Sequence, residues 1–230
     1  MLSHLFRGDY RGKEVLPLAY PLLFYVIFFR SFPHLLGKIV TKYAINDFSG
    51  TILLCAYYTL VSLLLVGYLL KQNGRAFFKV RFRSRYVGVV VLLALANVAL
   101  SAVFLSYLPI SLNQELLNEN RIISAENVLL VRFYWGGIVA LIDEELFYRG
   151  VLMSTYFKQS RYHLDILVSA VCFASVHVIW SSWSWFDFIQ YIPAGLSLGL
   201  TFKWTKSIYY PILLHFLVNY GPRVIFILIS

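Results

Sequence analysis

A chain of 230 residues with 60% apolar, 18% aromatic and only 13% charged side chains, and a mean hydropathy of +0.71, is not a soluble domain, for which about 25% charge is usual. The formal charge of +9 would suit a nucleic-acid binder, but six of the twenty Lys/Arg concentrate in one short acid-free loop between apolar runs, which favours a cytoplasmic membrane loop over that partner. Two cysteines, Cys55 and Cys172, both inside apolar runs, read as packing residues and make neither a disulfide framework nor a ligand set.

The apolar runs predict an all-α, polytopic transmembrane helical bundle of about seven spans, with six to eight possible. Each run approaches the ~20 residues that cross a bilayer. The first span, about 15–36, follows the polar start "SHLFRGDYRGKE". Arg30, Pro33 and His34 follow its apolar part where a cleavable signal would show small residues, so it reads as a retained span with Arg30 snorkelling. The second span, 50–70, leads into "KQNGRAFFKVRFRSR" (71–85), which holds six Lys/Arg and no acid. That loop reads as cytoplasmic, with its phenylalanines lying on the anionic leaflet. The third span is 87–108, and the polar segment 109–129 is expected on the outer surface as an amphipathic stretch. Spans four to seven follow at about 130–157, 164–180, 186–203 and 208–229. Alternation from a cytoplasmic 71–86 places thirteen Lys/Arg inside and three outside, a self-consistent orientation. Trp180, Trp183 and Trp185 suit an interfacial aromatic belt at the outer end of one hairpin. The chain therefore reads as one transmembrane domain, 1–230. Its three N-terminal spans occupy 15–108, and the remaining spans, 130–229, hold the unusual polar residues. The lipid bilayer is the first expected partner.

Those polar residues need an explanation, because a charge at the bilayer centre costs about 2.5–3.5 kcal/mol on insertion scales. Of the eleven acids, only Asp143, Glu144 and Glu145 lie deep in an apolar run, and so do His177 and His215 of the five histidines. Glu145 and Arg149 are four apart and predict an ion pair along one helix face. Glu144 points about 100° away from that face and has no partner there. His215 and Asn219 are again four apart, and Phe173 precedes His177 by four, so that its ring can pack on the imidazole. Glu144 and His177 stand sixteen and seventeen residues from the turn near residue 160. At ~1.5 Å per residue their depths match. Either histidine alone reads as interhelical glue. Glu145–Arg149 reads as a structural pair, and Asp143 as an acid that caps, pairs locally or lines a water-filled cavity. An unpaired buried carboxylate at the level of a histidine points instead to a site built from Glu144, His177, His215 and Asn219.

"EELFYR" (144–149), "FASVH" (173–177) and "HFLVN" (215–219) read as E-E-x-x-x-R, F-x-x-x-H and H-x-x-x-N. In this order, on successive hydrophobic spans, they resemble the CPBP family of intramembrane proteases, which includes CAAX prenyl proteases and the bacteriocin-processing or immunity (Abi) proteins. The resemblance covers residues 144 to 219 and is closest to the bacterial branch. It implies that Glu144 is a general base activating water together with His177. It further implies that His215 and Asn219 form an oxyanion hole, and that Glu145 and Arg149, with Phe173, support the site.

The implied activity is a metal-independent intramembrane glutamic endopeptidase of the bacterial cytoplasmic membrane, acting on membrane-associated peptides such as bacteriocin or pheromone precursors. No cofactor is expected. A zinc enzyme is the nearest rival mechanism, since two histidines and a glutamate can hold catalytic zinc, but the H-E-x-x-H spacing is absent. The alternatives in function are a non-catalytic bacteriocin self-immunity protein, which would bind the bacteriocin or its receptor, and a transporter or proton relay using the same buried acid. The substrate's identity, the oligomeric state and the leaflet toward which the site opens are not written in these residues.

Overall fold

The computed structural model describes residues 9–10, 13–14, 17–43, 47–80, 82–108, 138–157, 163–179 and 183–229. Nearly all of them are helical. The exceptions are short connectors and a two-residue antiparallel pair, β1 (Asp9–Tyr10) with β2 (Lys13–Glu14). The segment 109–129 and Trp180 lie outside the described residues. Each predicted span overlaps helix among the described residues, with 130–137 of the fourth lying outside them, and long apolar runs favour helix because it satisfies the backbone internally. Two of these helices are long and apolar enough to cross a membrane, over Ile52–Asn73 and Ser84–Phe104.

The chain folds as two compact units that interleave in sequence. The first takes residues 1–74 and 126–158. Here α1 (Ala19–Tyr25) runs through a π-helical stretch, Val26–Ser31, into α2 (Phe32–Lys42), so helix continues past the expected end at residue 36. The long helix α3 (Asp47–Asn73) and α5 (Ala140–Glu145), with the π-helical stretch Leu146–Tyr156 that continues it, complete this unit. Gly150 is the point of closest approach: a Cβ there would lie 2.5 Å from Leu69 Cδ1 of α3. One turn along, Asn73 donates to Ser154 Oγ at 3.1 Å and to Thr155 Oγ1 at 3.3 Å. Polar groups of this kind tie helices where lipid offers no hydrophobic driving force between them.

The second unit takes residues 75–125 and 159–230. It contains a single 3₁₀ turn (Arg75–Phe78), α4 (Ser84–Tyr107), α6 (Leu164–Ile179), α7 (Trp185–Thr205) and α8 (Tyr209–Ile229). The sequence G-L-S-L-G (195–199) lets α7 lie directly against α6. A Cβ on Gly195 would sit 2.8 Å from Ala170 Cα, and one on Gly199 3.1 Å from Ile166 Cγ2. Small residues four apart allow such backbone approach in apolar surroundings. At the end of this interface Lys203 Nζ meets Asp165 Oδ1 at 2.7 Å. Asn97 of α4 donates to Ser197 of α7 at 3.0 Å, inside the unit. At the opposite end, Ser184 caps α7 by accepting from the Asp187 N–H at 3.3 Å, as N-cap serines do. Trp183 and Trp185 are exposed there with their rings 5.0 Å apart, in keeping with an aromatic belt.

Candidate active site

In the first unit the acids sit at the junction of α5 with its π-helical continuation. Asp143, Glu145 and Arg149 are all fully buried, and Glu144 is half-buried. The expected pair forms: Arg149 Nη1 lies 2.9 Å from Glu145 Oε1. The guanidinium also stands 5.7 Å over the Tyr148 ring. Tyr148 in turn donates to the Tyr25 hydroxyl at 3.0 Å, and Tyr25 stacks on Phe147 at 4.3 Å. The arginine is thus clamped between its carboxylate and an aromatic cluster anchored on α1.

One feature differs from the helical-wheel expectation. Glu144 is not isolated, because its charge reaches both Arg149 and Asp143. The helix loosens to π winding directly after Glu145. Asp143 accepts a hydrogen bond from Ser62 of α3. Its second oxygen is buried. A single serine in an apolar span carries no signal in sequence, so this partner could not have been anticipated. π-helical segments often mark functional sites, and here one begins directly after the second glutamate of the E-E-x-x-x-R motif.

In the second unit Phe173 lies between the two histidines. Its ring centroid is 4.7 Å from that of His177 and 5.5 Å from that of His215. The anticipated contact with His177 is present, and the same phenyl ring brings the histidine of α8 into the arrangement. His177 Nδ1 is 2.7 Å from the Phe173 carbonyl oxygen. A carbonyl can only accept, so Nδ1 carries the proton in this contact. His215 is buried, His177 half-buried, and Asn219, one turn beyond His215, is exposed. Tyr191 of α7 is a member that the motifs do not contain. It stacks on His177 with centroids 4.2 Å apart and planes at 25°. Its only sequence signal is position: residues 191, 195 and 199 form one stripe along α7, the stripe that carries the two glycines.

Among the described residues, no three or more His, Cys, Asp or Glu side chains are grouped to hold a metal ion. Cys55 and Cys172 are free thiols.

Residues 126–221 match the family model described as type II CAAX prenyl endopeptidase, Rce1-like. A curated relative, the uncharacterized protein YpbD of Bacillus subtilis (strain 168), is 29% identical over 76 residues, which are 33% of this chain and 35% of the relative. The match thus spans about a third of that protein's length. No solved structure matches. The match contains all three motifs, from Glu144 to Asn219, and the family resemblance that those motifs carry is therefore shown for residues 126–221 of this chain.

Proposed function

We infer that the chain is an intramembrane glutamic endopeptidase: a multi-pass protein of the bacterial cell membrane, with about seven spans in one transmembrane domain, that hydrolyses membrane-associated peptides. The observation that carries this reading is the second unit's histidine pair. Two histidines from different helices are held against one phenyl ring, and His177 has its Nδ1 proton committed to a backbone carbonyl, all within the segment that matches the endopeptidase family.

The chemistry follows from the residue types. Glu144 takes a proton from water with His177 as its partner, and the resulting hydroxide attacks the scissile carbonyl. His215 and Asn219 donate to the oxyanion, a donor pair of the kind worth about 3–4 kcal/mol per member. Collapse of the intermediate expels the amine, which takes its proton from Glu144 or His177. Glu145 and Arg149 hold the backbone that presents Glu144, while Phe173 and Tyr191 hold the imidazoles. Bacteriocin or pheromone precursors are the proposed substrates, and no cofactor enters the scheme.

The test uses purified protein in lipid, a pool of bacteriocin leader peptides and lipidated peptides, and product detection by mass spectrometry. Cleavage should survive a zinc chelator and fall at least a thousandfold in Glu144→Gln, with unchanged helical content. Loss with chelator and recovery with zinc would replace the glutamate mechanism with a metalloprotease. Wild-type binding of a bacteriocin, without cleavage and unaffected by Glu144→Gln, would replace it with self-immunity by capture.

A further inference from the structure

The arm between α3 and α4 is a built surface of the second unit. Tyr210, buried at the start of α8, accepts from the Arg83 N–H at 2.7 Å and donates to the Arg83 carbonyl at 3.3 Å, so one hydroxyl satisfies both backbone groups of that residue. Tyr209 donates to the Phe78 carbonyl at 2.9 Å, and Phe77 packs 6.1 Å from Phe202 of α7. Tyr86 meets Tyr210 edge-on at 5.4 Å. The guanidinium groups of Arg83 and Arg85 lie 5.8 and 5.0 Å from the Tyr86 ring. Three ties therefore fix the arm to the α7–α8 turn, and two arginines are oriented on a ring that is itself packed.

This surface presents Arg75, Lys79, Arg83 and Arg85 from the arm and Lys206 from the turn, all exposed. Val80, Phe82 and Trp204 stand among them, with Phe82 at 75% and Trp204 at 69% exposure. No acid occurs in 71–86 or 203–214. Asp165, where α6 meets the end of α7, is paired with Lys203. The arm ends where α4, one of the two helices able to cross a bilayer, begins. Cations with interspersed apolar side chains at a helix end match the boundary between acyl chains and phosphate headgroups, where apolar groups enter and cations stay at phosphate level.

We propose that the tyrosine-stapled arm and the α7–α8 turn form a preorganised docking surface for anionic phospholipid headgroups. Preorganisation separates this from the general attraction of a basic loop to an acidic membrane. With the backbone already held by Tyr209 and Tyr210, ordering costs are removed before the lipid arrives.

The test is lipid retention by the detergent-purified full chain in native mass spectrometry, with equimolar phosphatidylglycerol and phosphatidylcholine. The wild type should retain phosphatidylglycerol at least tenfold over phosphatidylcholine. Each cation removed from the set Arg75→Gln, Lys79→Gln, Arg83→Gln and Arg85→Gln should lower that preference about fivefold until it vanishes. Lys38→Gln/Lys42→Gln, which removes two exposed lysines elsewhere, should leave it intact. Tyr210→Phe keeps every cation and should still lower the preference severalfold, with unchanged helical content. Equal retention of the two lipids by the wild type would overturn the proposal, as would a quadruple variant that keeps the preference. Wild-type behaviour of Tyr210→Phe would reduce the surface to unspecific charge and overturn its preorganisation. Equal competition by soluble glycerophosphoglycerol would make it a site for free anions instead. None of these readouts depends on peptide cleavage.

Discussion

Gly195→Ala adds one methyl group where α7 lies against the α6 backbone. The new Cβ would be 2.8 Å from Ala170 Cα, 3.1 Å from Ala170 Cβ and 3.1 Å from Ala170 O. These are backbone or backbone-proximal atoms with no rotamer to yield, so the two helices must separate by roughly half an ångström or more. A gap of that size forfeits a quarter to a half of each dispersion contact along the interface. Overpacking against a rigid neighbour sits near the upper end of its range, about 3 kcal/mol. Alanine returns about 1 kcal/mol in helix propensity, leaving a net loss of about 2 kcal/mol. The same substitution at Gly88 of α4, where a Cβ meets nothing within 4 Å, should be neutral or stabilising by up to about 1 kcal/mol. Reversible unfolding in mixed micelles, followed by circular dichroism, should therefore separate the two variants by about 2–3 kcal/mol. The displacement has a second consequence. Tyr191 is one turn before Gly195, and His177 is about 10 Å along α6 from Ala170, so peptide cleavage should fall in Gly195→Ala but not in Gly88→Ala. Equal stability of the two variants would refute the close approach of α6 and α7.

Other perturbations address the remaining contacts. Arg149→Met deprives the fully buried Glu145 of its cation and should cost about 3–5 kcal/mol in the same unfolding assay; adding Glu145→Gln should restore more than half, and failure to do so would sink the ion-pair account. Ser62→Ala removes the donor to buried Asp143 and should cost about 1–3 kcal/mol, whereas the same change at exposed Ser106 should be silent; a silent Ser62→Ala would show that the hydrogen bond contributes nothing. Tyr191→Ala removes the ring stacked on His177 and should lower kcat at least tenfold with little change in KM, while Tyr191→Phe retains most activity; equal loss in both would point to the hydroxyl in place of the ring.

Much of this protein is legible without coordinates because its signals are local. Apolar runs near the length of a bilayer crossing become helices whatever packs beside them, since no other conformation satisfies the backbone in that solvent. Glu145 and Arg149 pair because one turn of helix brings residues four apart together, and Phe173 reaches His177 for the same reason. Residue type and spacing likewise sufficed for the family resemblance, which the match over 126–221 bears out. What required tertiary structure depends on helix rotation and on the approach between helices. No periodicity announces that winding loosens directly after Glu145. Nor does a solitary serine reveal that it serves Asp143, or a tyrosine in an aromatic-rich span that it covers His177. The glycines at 195 and 199 were visible as letters, but their meaning arises only when Ala170 and Ile166 of another helix come to rest against them. Local hydrogen bonding sets the helices, and side chains far apart in sequence decide which faces meet, because only packing selects among the rotations that an apolar helix can adopt.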